Sequence, residues 1–91
     1  MTARIPVLPR GVRRHFDRVR GRNVLLGPER ALMLDETGHA ILTEIDGARS
    51  IDEIARDLAA RYNAPADAIA ADIVEFLSDL ADKRLMDYAD A

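Results

Sequence analysis

Few side chains in this sequence could carry out acid–base or nucleophilic chemistry, and they are widely scattered. His15 and His39 are lone histidines with no partner at ligand spacing, so each is best explained as a hydrogen-bonded or solvated side chain. Asp35 and Glu36 are adjacent carboxylates, but their place ahead of a helical pattern fits helix capping better than acid–base work. Ser50 has no recognisable base and orienting acid, so it too is predicted to cap a helix. We therefore predict no catalytic residue and no enzymatic activity.

The composition excludes several further classes of site. The chain of 91 residues contains no cysteine, which excludes disulfides, thiolate metal sites, iron–sulfur clusters and cysteine nucleophiles. The glycines are scattered, and none belongs to a phosphate-binding loop. No apolar run approaches the length of a membrane span or of a signal-peptide core. The sequence thus predicts one small cytoplasmic domain with no metal, no bound cofactor and no membrane partner.

Charge is divided unevenly along the chain, although the net charge is only −3. Such a division suits an acidic partner or self-association, while a set of solvated faces is the commoner outcome. The arginines of the first third are Arg4, Arg10, Arg13, Arg14, Arg18, Arg20, Arg22 and Arg30. The last third carries Asp67, Asp72, Glu75, Asp79, Asp82, Asp87 and Asp90, alongside Lys83 and Arg84.

Three short strands are predicted first, over residues 14–20, 23–26 and 30–34. The tight connections between them, the second marked by Gly27 and Pro28, indicate an antiparallel meander. The third strand should be an edge of the sheet, because nothing after it resembles a neighbouring strand. Its residues are Arg30, Ala31, Leu32, Met33 and Leu34, with no proline and no further charge to block additional pairing.

Three amphipathic helices are predicted after the strands. Asp35 can cap the first helix, and Ser50 and Glu53 have the spacing of a capping box at the start of the second. Pro65 suits the first position of the third helix, which should extend to about Lys83.

The third helix has an unusually wide apolar stripe. The stripe covers an arc of roughly 160°, whereas roughly 100° is enough to cover one core. Either the helix is packed deep inside a small domain, or one edge of it faces a groove that a partner fills. The residues that recur at i, i+3 and i+4 are Ile69, Ile73, Phe76, Leu77 and Leu80.

These elements predict an α+β domain of the winged helix-turn-helix-like class, in which a three-stranded antiparallel sheet is followed by three helices. Residues 1–12 contain Pro6, Pro9 and Gly11 and are predicted to be a flexible N-terminal arm. The domain itself is predicted to span residues 13–88.

A helix-turn-helix suggests DNA binding, but the charge of the third helix opposes it. The second helix of such a pair enters the major groove and must meet phosphates. Here that helix presents Asp72, Glu75, Asp79 and Asp82, which would repel them. A DNA-binding regulator therefore remains only as an alternative, supported by the arginine-rich first third.

An open strand edge beside a broad apolar helix favours peptide binding instead. An extended peptide could add a strand to the sheet through main-chain hydrogen bonds and place alternate side chains against the helix. The same edge could pair with that of a second copy, so a dimerisation module is a further alternative.

Several short stretches resemble the PqqD family, and together they cover about residues 7–86. Arg84 departs from the pattern, because glycine is expected there after the lysine. The stretches are VLLGPER at 24–30, LMLD at 32–35, IL at 41–42, DG at 46–47 and SIDEI at 50–54, then Leu58, Tyr62, Asp72, Ile73, Phe76, Leu77 and Leu80.

The resemblance implies a peptide chaperone of pyrroloquinoline quinone biosynthesis. Such a protein binds the ribosomally made precursor peptide PqqA and presents it to PqqE, a radical S-adenosylmethionine enzyme that joins a glutamate to a tyrosine side chain. The charge of the third helix predicts no nucleic-acid partner, and the resemblance implies that the peptide lies along the third strand and against the third helix. Carried onto this chain, the peptide-binding residues are Arg30, Ala31, Leu32, Met33, Leu34, Ile69, Asp72, Ile73, Phe76 and Leu77.

Overall fold

Two separate antiparallel sheets and three helices make up the structure, a computed structural model that describes residues 3–89. The predicted α+β class, with a three-stranded sheet followed by three helices, is confirmed. Within the described range, no helix is both long enough and apolar enough to cross a membrane. The elements are β1 (Ile5–Val7), β2 (Arg13–Asp17), β3 (Arg22–Leu26), β4 (Ala31–Met33), α1 (Glu36–Thr43), α2 (Ile51–Tyr62), α3 (Ala66–Asp82) and β5 (Asp87–Ala89).

The larger sheet has the strand order β2-β3-β4, as the predicted meander requires. The first strand is shorter than predicted, because the carboxylate of Asp17 accepts hydrogen bonds from the backbone N–H groups of Val19 and Arg20 and closes a turn there. Gly21 completes this turn at a φ of +64°, a left-handed conformation that favours glycine.

The helices begin where their capping residues predict. Asp35 Oδ1 accepts a hydrogen bond of 2.7 Å from the backbone N–H of Gly38 at the start of α1. Ser50 and Glu53 form the predicted capping box, with reciprocal hydrogen bonds of 3.2 and 2.8 Å. Pro65 is the N-terminal capping residue of α3 rather than its first helical residue, a shift of one position.

The core lies between the sheet and the helices. Leu25 is the fully buried contribution of β3, and α2 and α3 pack against each other over one shared apolar layer. Burial of this apolar surface is the main favourable term in folding. The core side chains with no more than 2% exposure are Leu25, Leu42, Ile51, Ile54, Ala55, Ile73, Leu77, Leu80 and Leu85.

The N-terminal segment differs from the predicted flexible arm. Residues 5–7 form β1, which pairs with β5 at the other end of the chain, so that Pro6 lies opposite Tyr88. Pro6 is fully buried, and the guanidinium carbon of Arg4 lies 3.8 Å from the centre of the Tyr88 ring. The backbone O of Arg4 also accepts a hydrogen bond from Ile51, which ties this segment to the start of α2.

A charged turn joins α1 to α2. Asp46 accepts hydrogen bonds from the backbone N–H groups of Arg49 and Ala48, and these lower the pKa of its carboxyl group to about 2. The guanidinium of Arg49 pairs with Asp57, with Asp46 and with Glu44, and these contacts raise the pKa of Arg49. This turn therefore depends on an ionised Asp46.

Protonation of Asp46 is expected to destabilise the domain in acid. Its pKa is lower in the folded protein than its ordinary value of 3.8, so its contribution is present above that value and is lost as the pH falls toward about 2. We expect Asp46→Asn to be less stable than the parent at pH 7 but to lose less stability between pH 4 and pH 2, measured by urea denaturation. An asparagine amide oxygen can still accept the two backbone hydrogen bonds, so the substitution mainly removes the charge that pairs with Arg49. The stability difference at pH 7 should therefore shrink in 0.5 M salt, and a difference that salt leaves unchanged would contradict this account.

Candidate functional site

The outer side of β4 offers unpaired backbone groups. The backbone N–H of Leu34 donates to Asn23 O at 3.0 Å, and that of Gly27 donates to Arg30 O at 2.8 Å. Because antiparallel strands alternate the direction of their backbone groups, residues 30, 32 and 34 point toward β3. The N–H and C=O groups of Ala31 and Met33 therefore point away from the sheet. We call these groups the β4 edge, and no other strand pairs with it within residues 3–89.

The side chains of this strand divide between solvent and core. Arg30, Ala31 and Met33 are exposed, with 43% exposure for Met33. Leu32 packs against the core, and Leu34 is buried within it. The strand is thus anchored by its inner side chains while its outward backbone groups remain accessible.

The predicted residues of α3 also divide between core and surface. Ile73 and Leu77 have 0% exposure, so their side chains belong to the core. Ile69 and Phe76 are half-buried and pack on the core from its rim, and Asp72 is exposed. The wide stripe is therefore divided between core positions and positions at the rim of the core.

A cavity of about 370 Å³ lies beside α3. Its walls come from α1, from the end of α2 and the turn after it, and from the first half of α3. No residue of β4 is among the lining residues, so the predicted strand and helix positions do not share this cavity. The lining residues are Glu36, Thr37, Ala40, Ile41, Leu58, Tyr62, Ala64, Ile69, Asp72 and Ile73.

Gly38 allows α1 to approach α3 closely. A Cβ atom built on Gly38 would lie 3.0 Å from two carbons of the Phe76 ring and 3.1 Å from Asp35 Oδ1. Contacts this short leave almost no room for a side chain. Phe76 is therefore held against the first turn of α1, which follows directly after β4. This contact connects the strand part of the predicted site to the helix part.

A second cavity, of about 470 Å³, lies at the end of β4 and was not predicted from the sequence. The guanidinium of Arg22 reaches the backbone O of Leu34 at 3.4 Å, and Asp35, Glu36 and His39 complete the wall. His39 Nδ1 is buried and has no hydrogen-bond partner within the described range, unlike the satisfied or solvated histidine that we predicted. No sequence signal identifies this group, because the residues around the cavity come together only in the folded domain.

The shifted carboxyl pKa values near the sheet and at the start of α2 have structural causes. The backbone N–H of Arg20, followed by its guanidinium, lowers the pKa of Asp17 in the turn after β2. The backbone N–H of Ser50 lowers the pKa of Glu53 in the capping box. These shifts reflect turn and cap formation and give no indication of acid–base catalysis.

The fold and its open edge are those of a small α+β domain suited to strand addition. Its residues 22–86 match the family model described as Coenzyme PQQ synthesis protein D (PqqD). The chain belongs to the PqqD family, and the resemblance noted in its sequence is confirmed.

Relatives and solved structures agree with this assignment. A protein of Rhizobium meliloti (strain 1021) named PqqA binding protein is 43% identical over 96% of this chain and 97% of its own length. The solution NMR structure of the PqqD truncation of Methylobacterium extorquens PqqCD, described as a functional and stand-alone RiPP recognition element, is 44% identical with a TM-score of 0.79, over 91% of this chain and 88% of that one. The crystal structure of PqqD from Xanthomonas campestris is 40% identical with a TM-score of 0.60, over 87% and 88% respectively.

Proposed function

We propose that this protein is a non-catalytic peptide chaperone that binds the precursor peptide PqqA by strand addition at the β4 edge. The outward N–H and C=O groups of Ala31 and Met33 are the observation that carries the proposal. An extended peptide would become the fourth strand of the sheet, and its backbone would satisfy these groups. Two relatives, the PqqA binding protein of Rhizobium meliloti and the PqqD recognition element of Methylobacterium extorquens, support the identity of the peptide.

The β4 edge is held in place before any peptide arrives. Leu34 is buried, its backbone O accepts from Arg22, and Asp35 caps α1 immediately afterwards. Ordering a flexible strand on binding would cost conformational entropy, whereas an edge fixed in advance avoids most of that cost. The local structure therefore favours affinity without a large interface.

The ten predicted residues would then serve in three ways. The strand would supply backbone groups from Ala31 and Met33, with Arg30 at its start to attract acidic side chains of the peptide. The half-buried and exposed positions of α3 would meet peptide side chains. The remaining positions, which are buried or partly buried, would support these from below. The contact positions of α3 are Ile69, Asp72 and Phe76, and the supporting positions are Leu32, Leu34, Ile73 and Leu77.

The bound peptide would be presented to PqqE, the radical S-adenosylmethionine enzyme that modifies it. Strand addition uses mainly the peptide backbone, so the side chains that the enzyme must reach stay free beyond the bound segment. The domain has no cysteine and so uses no disulfide, which supports placing peptide binding and presentation to PqqE in the cytoplasm.

Amide chemical shifts test the proposal directly. On titration of the ¹⁵N-labelled protein with a synthetic PqqA peptide, we expect the largest shifts at Ala31 and Met33, because their N–H groups gain an acceptor. The amide of Leu32, which already donates within the sheet, should shift less and serves as the internal control. A titration in which the β4 edge is unaffected while another surface responds would overturn the proposal.

A further inference from the structure

The opposite side of the same sheet also has unpaired backbone groups. Since residues 23, 25 and 27 of the central strand region bond toward β4, residues 22, 24 and 26 bond toward β2. Their partners are residues 17, 15 and 13. The N–H and C=O groups of Arg14 and Phe16 therefore point outward, and we call these groups the β2 edge. In the part of the chain that the structure describes, no strand pairs with it.

The face of β2 that lies on the core side of the sheet is exposed to solvent. Arg14 lies opposite Leu25 and Phe16 lies opposite Asn23, so both side chains point to the side of the sheet on which the core is built. Phe16 is nevertheless 51% exposed, and Val19 in the following turn is 96% exposed. The β2 edge is thus bordered by the half-exposed Phe16 and followed by the exposed Val19.

Positive charge surrounds this edge. The segment from Arg13 to Arg22 contains one acidic residue, Asp17, and that residue is paired with Arg20 at 3.0 Å. Arg13, Arg14 and Arg18 form no salt bridge with any residue that the structure describes. Three guanidinium groups therefore remain available to carboxylates of another molecule.

We propose that the β2 edge is a second strand-addition site, and that its occupant is an acidic extended segment of the modifying enzyme. The inference rests on the proposed function, in which the precursor occupies the β4 edge. The β2 edge would supply backbone hydrogen bonds, the arginines would pair with carboxylates, and Phe16 would cover an apolar side chain of the segment.

The geometry allows both edges to be occupied together. They lie on either side of β3, two strand spacings apart, which corresponds to roughly 10 Å. The sheet would then hold precursor and enzyme side by side, which is what a presenting protein requires.

Charge argues against a second copy as the occupant. Pairing two β2 edges would place arginines against arginines, and like charges directly opposite each other destabilise a strand pair. The five acidic residues of α3 belong to a helix, which cannot add a strand. Arginines beside an open edge thus oppose self-pairing but admit an acidic strand.

Binding of the parent protein to purified PqqE tests the inference by isothermal titration. Phe16→Pro removes an outward N–H without removing a bond to β3, and Arg14→Glu reverses a charge at the same edge. We expect each to weaken enzyme binding at least tenfold, while the affinity for a synthetic PqqA peptide changes less than twofold. Parent enzyme affinity should also fall steeply between 50 and 300 mM salt.

Two matched variants separate the loss of the backbone N–H from the loss of the side chain, and a charge reversal at the β2 edge from one elsewhere. Phe16→Ala keeps the outward N–H and should weaken enzyme binding less than Phe16→Pro does. Arg56→Glu makes the same charge change on the exposed side of α2 and should leave enzyme affinity within twofold of the parent. Should Phe16→Pro fail to fold, the comparison of Arg14→Glu with Arg56→Glu still decides the matter.

Each contrary outcome has a distinct meaning. Unchanged enzyme affinity in folded Phe16→Pro and Arg14→Glu overturns the second site. Loss of PqqA binding in these variants places the precursor at the β2 edge and overturns both proposals. If these substitutions change only the sedimentation of the protein without enzyme, the edge pairs with a second copy. That result overturns the enzyme as occupant. Loss of PqqA binding in Met33→Pro with normal enzyme binding supports both assignments.

Discussion

Met33→Pro is expected to lower the affinity for PqqA at least tenfold while the protein remains folded. The N–H of Met33 points away from β3, so proline removes a donor that the peptide needs but no bond that the sheet needs. The proline ring also projects toward the space that the added strand would occupy. A tenfold loss corresponds to about 1.4 kcal/mol, which is within the range for one backbone hydrogen bond plus a steric clash.

Met33→Ala is the matched control for this substitution. It removes the half-exposed side chain but keeps the donor, so the affinity should remain within about threefold of the parent. Isothermal titration measures both affinities, and circular dichroism establishes that each variant is folded. Parent-like PqqA affinity in a folded Met33→Pro protein would rule out strand addition at β4.

The elements with local signals were predicted well. Asp35, Ser50 and Glu53 cap helices where the sequence indicated, because a cap and its helix are adjacent in the chain. The meander followed from the short connections between its strands. Its first strand was predicted too long, since the turn formed by Asp17 resembles a continuation of the alternating pattern.

The smaller sheet could not be predicted in the same way. β1 and β5 have three residues each, and more than 75 residues separate Ile5 from its partner Ala89. Pro6 within β1 indicates a break in a strand, yet proline is tolerated at the edge position that it occupies. Only the folded domain brings β1 and β5 together, so the predicted flexible arm of residues 1–12 was wrong over residues 5–7. Residues 1–2 of that arm lie outside the described range.

The candidate site was predicted at the level of elements but not of atoms. Which backbone groups of β4 point outward depends on the register of the strands, which the turn between Gly27 and Arg30 fixes. Helical periodicity identified the apolar stripe of α3 but could not divide it between core and rim. The structure makes that division, with Leu77 in the core and Ile69 at the rim.

Leu77→Ala is expected to reduce the free energy of unfolding by about 2–5 kcal/mol, since it removes a fully buried side chain and leaves a cavity. A domain of this size has a total stability of about 5–15 kcal/mol, so the variant should unfold at markedly lower urea concentration. The affinity of the remaining folded protein for PqqA should change little, because Leu77 does not reach the surface.

Ile69→Ala should have the opposite effect, with a smaller loss of unfolding free energy and a larger loss of affinity for PqqA than Leu77→Ala. Ile69 is half-buried and borders the cavity beside α3, so its truncation leaves a smaller void and removes a surface that the peptide could contact. Urea denaturation and isothermal titration of both variants, with the conservative Leu77→Met to retain a well-folded sample, separate stability from binding. If Leu77→Met weakens PqqA binding more than Ile69→Ala does, then α3 must open during binding, because only a moved helix could bring position 77 to the peptide.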